Sequence, residues 1–251
     1  MKIVFIGAGN LATHLSQALS KAGHDIVQVY SRTKDAAHVM ASKVGASSTN
    51  DIKEIVCNAD IYIFSVKDDV LPSVIEPLCV GARDALFLHT AGSVSMTVFK
   101  GKALRYGVFY PMQSFTKSRE LDLSDVPVYI EGDSEATLST IRLLAESVSK
   151  KVRVMDSEKR CKLHLAAVFA CNFVNSNSLS FYQFLTRTVL QDMQLMNCFR
   201  HHLINLVCYR PILQQFKLTL HHVLVVTHSR TCLSFTGCNV MNLRCCLVYQ
   251  R

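Results

Sequence analysis

The sequence lacks any long run of apolar residues. No stretch approaches the ~20 consecutive apolar residues that a membrane-spanning helix needs, although 49% of the 251 residues are hydrophobic. The apolar run that follows Met1 and Lys2 has the length of a strand and not that of a secretory leader. We therefore expect a globular chain with an ample core, without a signal sequence and without membrane contact.

Cysteine and histidine motifs for metals or disulfides are also missing. The chain contains 10 cysteines but no C-x-x-C pair, and Cys245 and Cys246 are adjacent, a spacing that suits neither a disulfide nor a metal. The adjacent histidines at 201–202 and 221–222 point to different faces of any regular element. We expect no metal site, and reduced thiols of this kind predict a cytoplasmic location.

Three catalytic signatures are absent. The chain has no G-x-S-x-G, no H-E-x-x-H and no G-x-x-x-x-G-K-[ST]. The sequence therefore gives no support to a serine hydrolase of that type, a zinc protease or a nucleoside triphosphatase.

Alanine and acidic residues almost disappear from the last part of the chain. Residues 1–176 contain 18 alanines and carry a net charge of +2, whereas residues 177–251 contain no alanine, one acid (Asp192) and a net charge of +6. A helical bundle needs both signs of charge on its outer face, which one acid cannot supply. We interpret residues 177–251 as the product of a reading-frame shift or of misannotated sequence. The basic tail carries no DNA- or RNA-binding motif, so we expect no nucleic-acid partner.

A glycine motif follows the first apolar run. G-x-G-x-x-A begins at Gly7, directly after the strand predicted at Ile3–Ile6, and a helix opens at Asn10. Such a turn directs unpaired backbone N–H groups and a positive helix end at phosphate oxygens. The residues expected to hold the pyrophosphate of a dinucleotide are Gly7, Ala8, Gly9, Asn10 and Leu11. A glycine turn that joins strand to helix without a ligand is the alternative.

The end of the second predicted strand indicates which dinucleotide binds. An NAD site usually has Asp or Glu there, for the ribose 2′-hydroxyl, but this chain has Ser31, Arg32 and Thr33. A guanidinium between two hydroxyls can bind a 2′-phosphate through charge-assisted hydrogen bonds. The pattern favours NADP, unless Arg32 is a solvated loop residue.

Strand and helix signals alternate through residue 155, which is typical of an α/β fold. We predict a Rossmann-type, mostly parallel sheet with helices on both faces. Residues 1–155 would form this NADP-binding domain and residues 156–251 a helical C-terminal region. Among its later elements we expect a helix over residues 51–57, a strand over 61–66, a strand over 126–130 and a helix capped by Asp133 or Ser134.

Ligands of an open parallel sheet lie outside the carboxyl ends of its strands. Polar residues follow three predicted strands at this edge: Ser65, Val66 and Lys67, then His89, Thr90, Gly92 and Ser93, then residues 110–114. We expect the first group beside the ribose and nicotinamide and the second group to face the reacting ring. Lys67, which precedes two aspartates, is equally typical of a solvated lysine.

A helix predicted from Asp156 or Ser157 carries a polar stripe within an apolar segment. Helical spacing aligns His164, Val168, either Cys171 or Asn172, and Asn175. Buried polar groups need partners, so the stripe either faces the cleft or is satisfied within an interface. In the first case neutral His164 would donate a proton to a carbonyl or imine, and Asn172 would orient the substrate.

These segments together resemble a known family. The runs GAGNLATHLSQALSKAGHDIVQVYSRT, FSVKDDVL, FLHTAGSVSM, YGVFYPMQSF and KLHLAAVFACNFVN occur in this order. They are similar to the bacterial Rossmann-like NADP oxidoreductases related to pyrroline-5-carboxylate reductase, in the branch with a second domain of unknown function. The resemblance covers about residues 1–176. It implies an NADP-binding domain followed by an all-helical domain that usually builds a dimer and closes the active cleft.

Two functions fit these observations. One is an NADP-dependent oxidoreductase that transfers hydride to a small carbonyl or imine substrate. The other is a non-catalytic NADP-binding regulatory or sensor module, because the fold binds its cofactor whether or not chemistry follows. The substrate itself is not identified by the sequence.

Overall fold

The first strand lies at the centre of the fold because its side chains are apolar on both faces. Ile3, Val4, Phe5 and Ile6 are completely buried. A strand that is apolar throughout is typical of a parallel sheet covered by helices on both sides. The computed structural model describes residues 1–172, apart from residues 80, 81, 83 and 117–120.

Strands and helices alternate along the described chain as the sequence predicts. The strands are β1 (Lys2–Ile6), β2 (Asp25–Tyr30), β3 (Ser47–Thr49), β4 (Ile61–Phe64), β5 (Leu86–His89), β6 (Arg105–Pro111), β7 (Val128–Gly132) and β8 (Val152–Val154). The helices are α1 (Asn10–Lys21), α2 (Lys34–Ser42), α3 (Leu71–Cys79), α4 (Glu135–Glu146) and α5 (Ser157–Asn172). Two short 3-10 turns, Ile52–Glu54 and Met96–Phe99, complete the described elements.

The eight strands form one sheet in the order β3-β2-β1-β4-β5-β6-β7-β8. All neighbouring pairs are parallel except β6 and β7. Apolar residues of α1, α2 and α4 pack on one face of the sheet and those of α3 on the other. The Rossmann-type sheet with helices on both faces is therefore confirmed. Its strand order changes direction at β1, which places the glycine turn at the ligand-binding crevice of such sheets.

Strand β7 runs antiparallel to β6. Parallel neighbours need a crossover connection, usually a helix, and the described residues between Pro111 and Val128 contain no helix. The sequence placed this strand at residues 126–130, and the structure shifts it to Val128–Gly132. As expected, Ser134 caps the following helix, with its hydroxyl accepting from the amide of Thr137 at 3.2 Å.

The helix predicted over residues 51–57 is wrong, since only Ile52–Glu54 form a 3-10 turn. Side chains from the sheet take the backbone groups that a longer helix would use. Gln28 accepts from the amide of Val56 at 2.9 Å and donates to the carbonyl of Glu54 at 3.1 Å. The Tyr62 hydroxyl donates to the carbonyl of Val56 at 2.6 Å. The strand predicted over residues 61–66 likewise ends at Phe64.

Within the described ranges, no helix combines the length and hydropathy that crossing a bilayer requires.

Candidate active site at the carboxyl edge of the sheet

Gly7 makes the tight turn between β1 and α1. Its φ of +112° favours glycine, and a Cβ there would collide with the carbonyl oxygen of Ser65. The amide of Gly7 donates to the carbonyl of Tyr30 at 2.8 Å. The turn therefore lies between the ends of β2 and β4, with no room for a side chain.

The space beside Gly9 is open, whereas the space beside Gly7 is filled by the backbone of Ser65. It caps α1 in extended geometry, and a Cβ at this position would have no atom within 4 Å. The first turn of α1 has no side-chain cap and no acidic residue. Its unpaired N–H groups and positive helix end therefore face open space, which suits an anionic group such as a pyrophosphate. Of the neighbouring residues expected at this site, Ala8 is buried, Asn10 is exposed and Leu11 is partly buried.

The end of β2 presents a cation that has no partner in the part of the chain that the structure describes. Arg32 is exposed and makes no hydrogen bond or ion pair with any described residue. Thr33 is the N-cap of α2 but makes no side-chain capping hydrogen bond. Ser31 is partly buried and its amide donates to the carbonyl of Thr49 at 3.2 Å. Two hydroxyls and a guanidinium thus remain available to one anion.

The ends of β4 and β5 are joined by hydroxyl groups. The Thr90 hydroxyl donates to the Ser65 hydroxyl at 3.2 Å, and the Thr90 amide donates to the carbonyl of Phe64 at 3.1 Å. Ser65 and Val66 are partly buried, whereas Lys67 is exposed. This part of the predicted site forms a continuous rim.

His89 lies below this rim. Its side chain is completely buried, and its ring stacks on that of Phe99 with centroids 5.8 Å apart. Nδ1 accepts from the amide of Ala91 at 3.2 Å, and Nε2 has no hydrogen-bond partner among the described residues. Burial, with a contribution from the charge of Arg160, lowers the pKa of His89 to about 3. The expectation that this side chain faces a reacting ring does not fit its position. The neutral imidazole instead supports the loop of residues 90–95 from beneath.

His164 packs against that loop from above. A Cβ on Gly92 would collide with the His164 ring, so only glycine allows this approach. Nδ1 of His164 lies 2.9 Å from the hydroxyl of Tyr110. Nε2 has no hydrogen bond to any described residue. One ring nitrogen is held by the protein and the other is free for a ligand.

Burial is the largest influence on His164 and lowers its pKa below the usual value of 6.5. The carboxylate of Asp68 acts in the opposite direction, and the charge of Arg160 adds to the lowering. Asp68 itself accepts a hydrogen bond from the hydroxyl of Ser93. The imidazole is therefore neutral at pH 7.

A buried ion pair fixes the start of α5. Arg160 is completely buried and donates to Glu131 of β7 and to the carbonyl of Val94, each at 2.5 Å. The Ser157 hydroxyl donates to Glu131 at 2.7 Å and accepts from the amide of Met96 at 3.1 Å. These bonds join α5 to β7 and to the loop after β5. They therefore fix the position of α5 at which His164 contacts Gly92. No pattern in the sequence indicates this group of residues.

The loop after β6 reaches back to α1. The side-chain Nδ2 of Asn10 donates to the carbonyl of Phe115 at 2.9 Å, and Nε2 of His14 lies 2.8 Å from the carbonyl of Thr116. Residues 112–116 therefore border the glycine turn. The polar stripe on α5 is only partly visible, since the side chain of Asn172 and all of Asn175 lie outside what the structure describes.

A glycine turn, a helix without a side-chain cap, an exposed arginine and a histidine at one edge of a Rossmann sheet are typical of dinucleotide-binding oxidoreductases. Two family models match the chain. Residues 2–88 match "NADP oxidoreductase coenzyme F420-dependent", and residues 126–205 match a domain of unknown function, DUF2520. The second match continues past the change of composition at residue 177.

Solved structures give the same result. The chain is 39% identical to a Bacteroides fragilis protein assigned to the NADP oxidoreductases, over 88% of this chain and 80% of that chain, with a TM-score of 0.70. It therefore belongs to this family of NADP oxidoreductases, as the resemblance indicated. No curated protein matches it.

More distant structures share the fold. Pyrroline-5-carboxylate reductase from Coxiella burnetii is 19% identical over 92% of each chain, with a TM-score of 0.55. An imine reductase from Myxococcus stipitatus, solved with NADP+, is 14% identical over 97% of this chain and 81% of that chain, with a TM-score of 0.64.

Proposed function

We propose that the protein is an NADP-dependent oxidoreductase that transfers hydride to the carbonyl or imine group of a small substrate. The observation that carries the proposal is the position of His164. Its free Nε2 lies beside the Gly92 loop, at the sheet edge that also carries the glycine turn. The proposed proton donor and the proposed nucleotide cradle would thus lie at the same edge of the sheet.

The cradle fits the diphosphate because the space beside Gly9 is open and faces unpaired N–H groups. Gly7, Ala8, Gly9, Asn10 and Leu11 would hold the pyrophosphate. Ser31, Arg32 and Thr33 would hold the 2′-phosphate, which is why we propose NADP rather than NAD. Ser65, Val66, Lys67, Thr90 and Gly92 would contact the ribose and nicotinamide, and His89 would contribute through the backbone of its loop.

When bound, NADPH supplies the hydride that becomes the new C–H bond of the substrate. The electron pair of the C=O or C=N bond would move to the heteroatom, which would take a proton from Nε2 of His164, and the imidazole would recover a proton from water. The products are an alcohol or amine and NADP+. Asn172, two turns further along α5, would orient the substrate.

The remaining proposals concern the whole molecule. Ten cysteines without pairing motifs favour a reducing cytoplasm. The family resemblance favours a homodimer built by the helical domain, provided that residues 177–251 form that domain.

Turnover tests the proposal. Oxidation of NADPH is followed at neutral pH with 2-oxo acids, imino acids and aldehydes. We expect one class to be reduced by the parent protein and by the His38→Ala control, an exposed histidine on α2, and about 100-fold more slowly by His164→Ala. NADPH binding without reduction of any class would instead identify a regulatory or sensor module. Equal rates in His164→Ala and the parent would remove His164 from the mechanism.

A further inference from the structure

Tyr110 lies on the part of β6 that extends past its neighbour. His89, the last residue of β5, pairs with Val108, so Tyr110 stands beyond the end of β5. Its side chain is only 7% exposed, and its ring stacks against that of Tyr129 with centroids 6.4 Å apart. The ring of His164 meets it edge-on at an interplanar angle of 80°. Both rings are therefore held in place while the hydroxyl faces Nδ1 of His164.

Acidity decides the direction of this hydrogen bond. A phenol O–H is a stronger acid than a neutral imidazole N–H, and an imidazole nitrogen is a stronger base than a phenol oxygen. Tyr110 therefore donates to Nδ1 across the 2.9 Å separation. The proton of neutral His164 then resides on Nε2, the nitrogen without a described partner.

We propose that Tyr110 and His164 form a proton relay that serves a reducible group with a free lone pair, either a carbonyl oxygen or an unprotonated imine nitrogen. This inference rests on the proposed function. As hydride reaches the substrate carbon, the Nε2–H bond breaks and the heteroatom gains that proton. The Tyr110 O–H bond breaks while an Nδ1–H bond forms, so the imidazole stays neutral. Nε2 then takes a proton from water and the Nδ1 proton returns to the phenolate, which restores the starting state of both residues.

The surroundings of His164 support a neutral relay. Two charged groups act on this ring, Asp68 from the loop after β4 and Arg160 on α5. The charge of Arg160 is matched by Glu131. Burial outweighs the effect of Asp68 and lowers the pKa of His164. An iminium ion, which has no lone pair on nitrogen, could not accept from Nε2–H.

Tyr110→Phe tests the relay, with Tyr106→Phe as control. Tyr106 packs against Phe99, and its hydroxyl has no hydrogen-bond partner among the described residues. In the parent and the control we expect kcat to be independent of pH between about 6.5 and 8. In Tyr110→Phe the proton has to come from the imidazolium form, so kcat falls about tenfold for each pH unit above the pKa of His164. A flat profile in Tyr110→Phe overturns the relay.

Nitrogen-15 NMR of the histidine rings tests the pair without any substrate. The parent and Tyr106→Phe proteins should show His164 as the Nε2–H tautomer, and Tyr110→Phe should show a mixture of both tautomers. This result supports the pair even if no substrate is reduced, in which case only the proposed function fails. A parent protein with its proton on Nδ1 overturns the relay whatever its activity.

Discussion

The ring of His164 occupies the space that a side chain at Gly92 would need. Gly92→Ala should therefore displace the ring, reducing both turnover and stability. In a His164→Ala background the added methyl group has room, so Gly92→Ala should lower the free energy of unfolding by less. We expect a coupling of about 1–3 kcal/mol between the two positions in the free energy of unfolding. Additive effects in a double-mutant cycle measured by denaturant unfolding would show that the two residues do not touch.

Gly9→Ala should separate cofactor binding from folding. A methyl group at this position meets no protein atom within 4 Å but enters the space assigned to the pyrophosphate. We expect NADPH affinity to fall by about tenfold or more, with at most about 1 kcal/mol lost from the stability of the free protein. Gly7→Ala should instead destabilise the protein itself, because it combines a φ of +112° with a collision at Ser65. Isothermal titration and thermal unfolding measure the two effects, and unchanged affinity in Gly9→Ala would move the diphosphate elsewhere.

Arg32→Ala should remove the preference for NADPH over NADH. Since Arg32 has no described protein partner, its loss leaves the fold intact but removes charge-assisted bonds worth about 1–3 kcal/mol. Fluorescence titration of both cofactors measures the change. Lys43→Ala, which removes an exposed cation after the other end of α2, should leave the preference unaltered. Equal affinities of the parent protein for the two cofactors would contradict the assignment.

His89 should make the domain sensitive to acid. Its pKa is lowered from 6.5 to about 3 in the folded protein, so between these values the unfolded chain binds a proton that the folded chain does not. The contribution of His89 to the free energy of unfolding is fully present above pH 6.5. As the pH falls from 6.5 toward 3, the free energy of unfolding declines by about 1.4 kcal/mol for each pH unit. His89→Phe should reduce the slope of unfolding free energy against pH in this window, whereas His38→Gln should not. Identical slopes in His89→Phe and the parent would show that His89 does not govern this loss.

The end of the chain allows a test at the level of DNA. We proposed that residues 177–251 arise from a reading-frame shift or misannotation, and the family match to residue 205 leaves residues 206–251 outside both family models. Translating the coding DNA beyond residue 176 in the other two frames should give a helical continuation rich in alanine and glutamate. If neither frame does so, and limited proteolysis cleaves residues 177–251 no faster than residues 1–155, the tail is a native domain.

The elements that the sequence predicts correctly are those with local causes. The glycine turn and the buried strands β1, β2, β4 and β5 follow from apolar runs and steric needs within a few residues of each other. The 3-10 turn at Ile52–Glu54 does not, because Gln28 and Tyr62 reach it from other strands. Helix propensity alone does not show that side chains from other strands compete for these backbone groups.

The active-site contacts depend on distant residues in the same way. Tyr110 and His164 are 54 positions apart, and Glu131 and Arg160 are 29 apart. No periodic pattern connects either pair. The sequence places His164 and Tyr110 separately among the candidates, one on a helix with an apolar segment and one at a strand end, but their contact and the role of Glu131 require the strand pairing to be known. The antiparallel β7 brings Glu131 to α5, and the sequence did not predict that reversal.

The bonds from Asn10 and His14 to the loop after β6 affect when this protein can first bind its cofactor. They span 105 and 102 residues, so the glycine turn acquires its border only after residue 116 has left the ribosome. At about 5–20 residues per second, synthesis of the intervening chain takes roughly 5–20 s. During that interval the loop after β6 does not yet border the proposed nucleotide site, and the edge of the growing sheet is still uncovered. A chaperone that binds exposed apolar strands therefore has time to engage the chain before a dinucleotide at the proposed site can stabilise it.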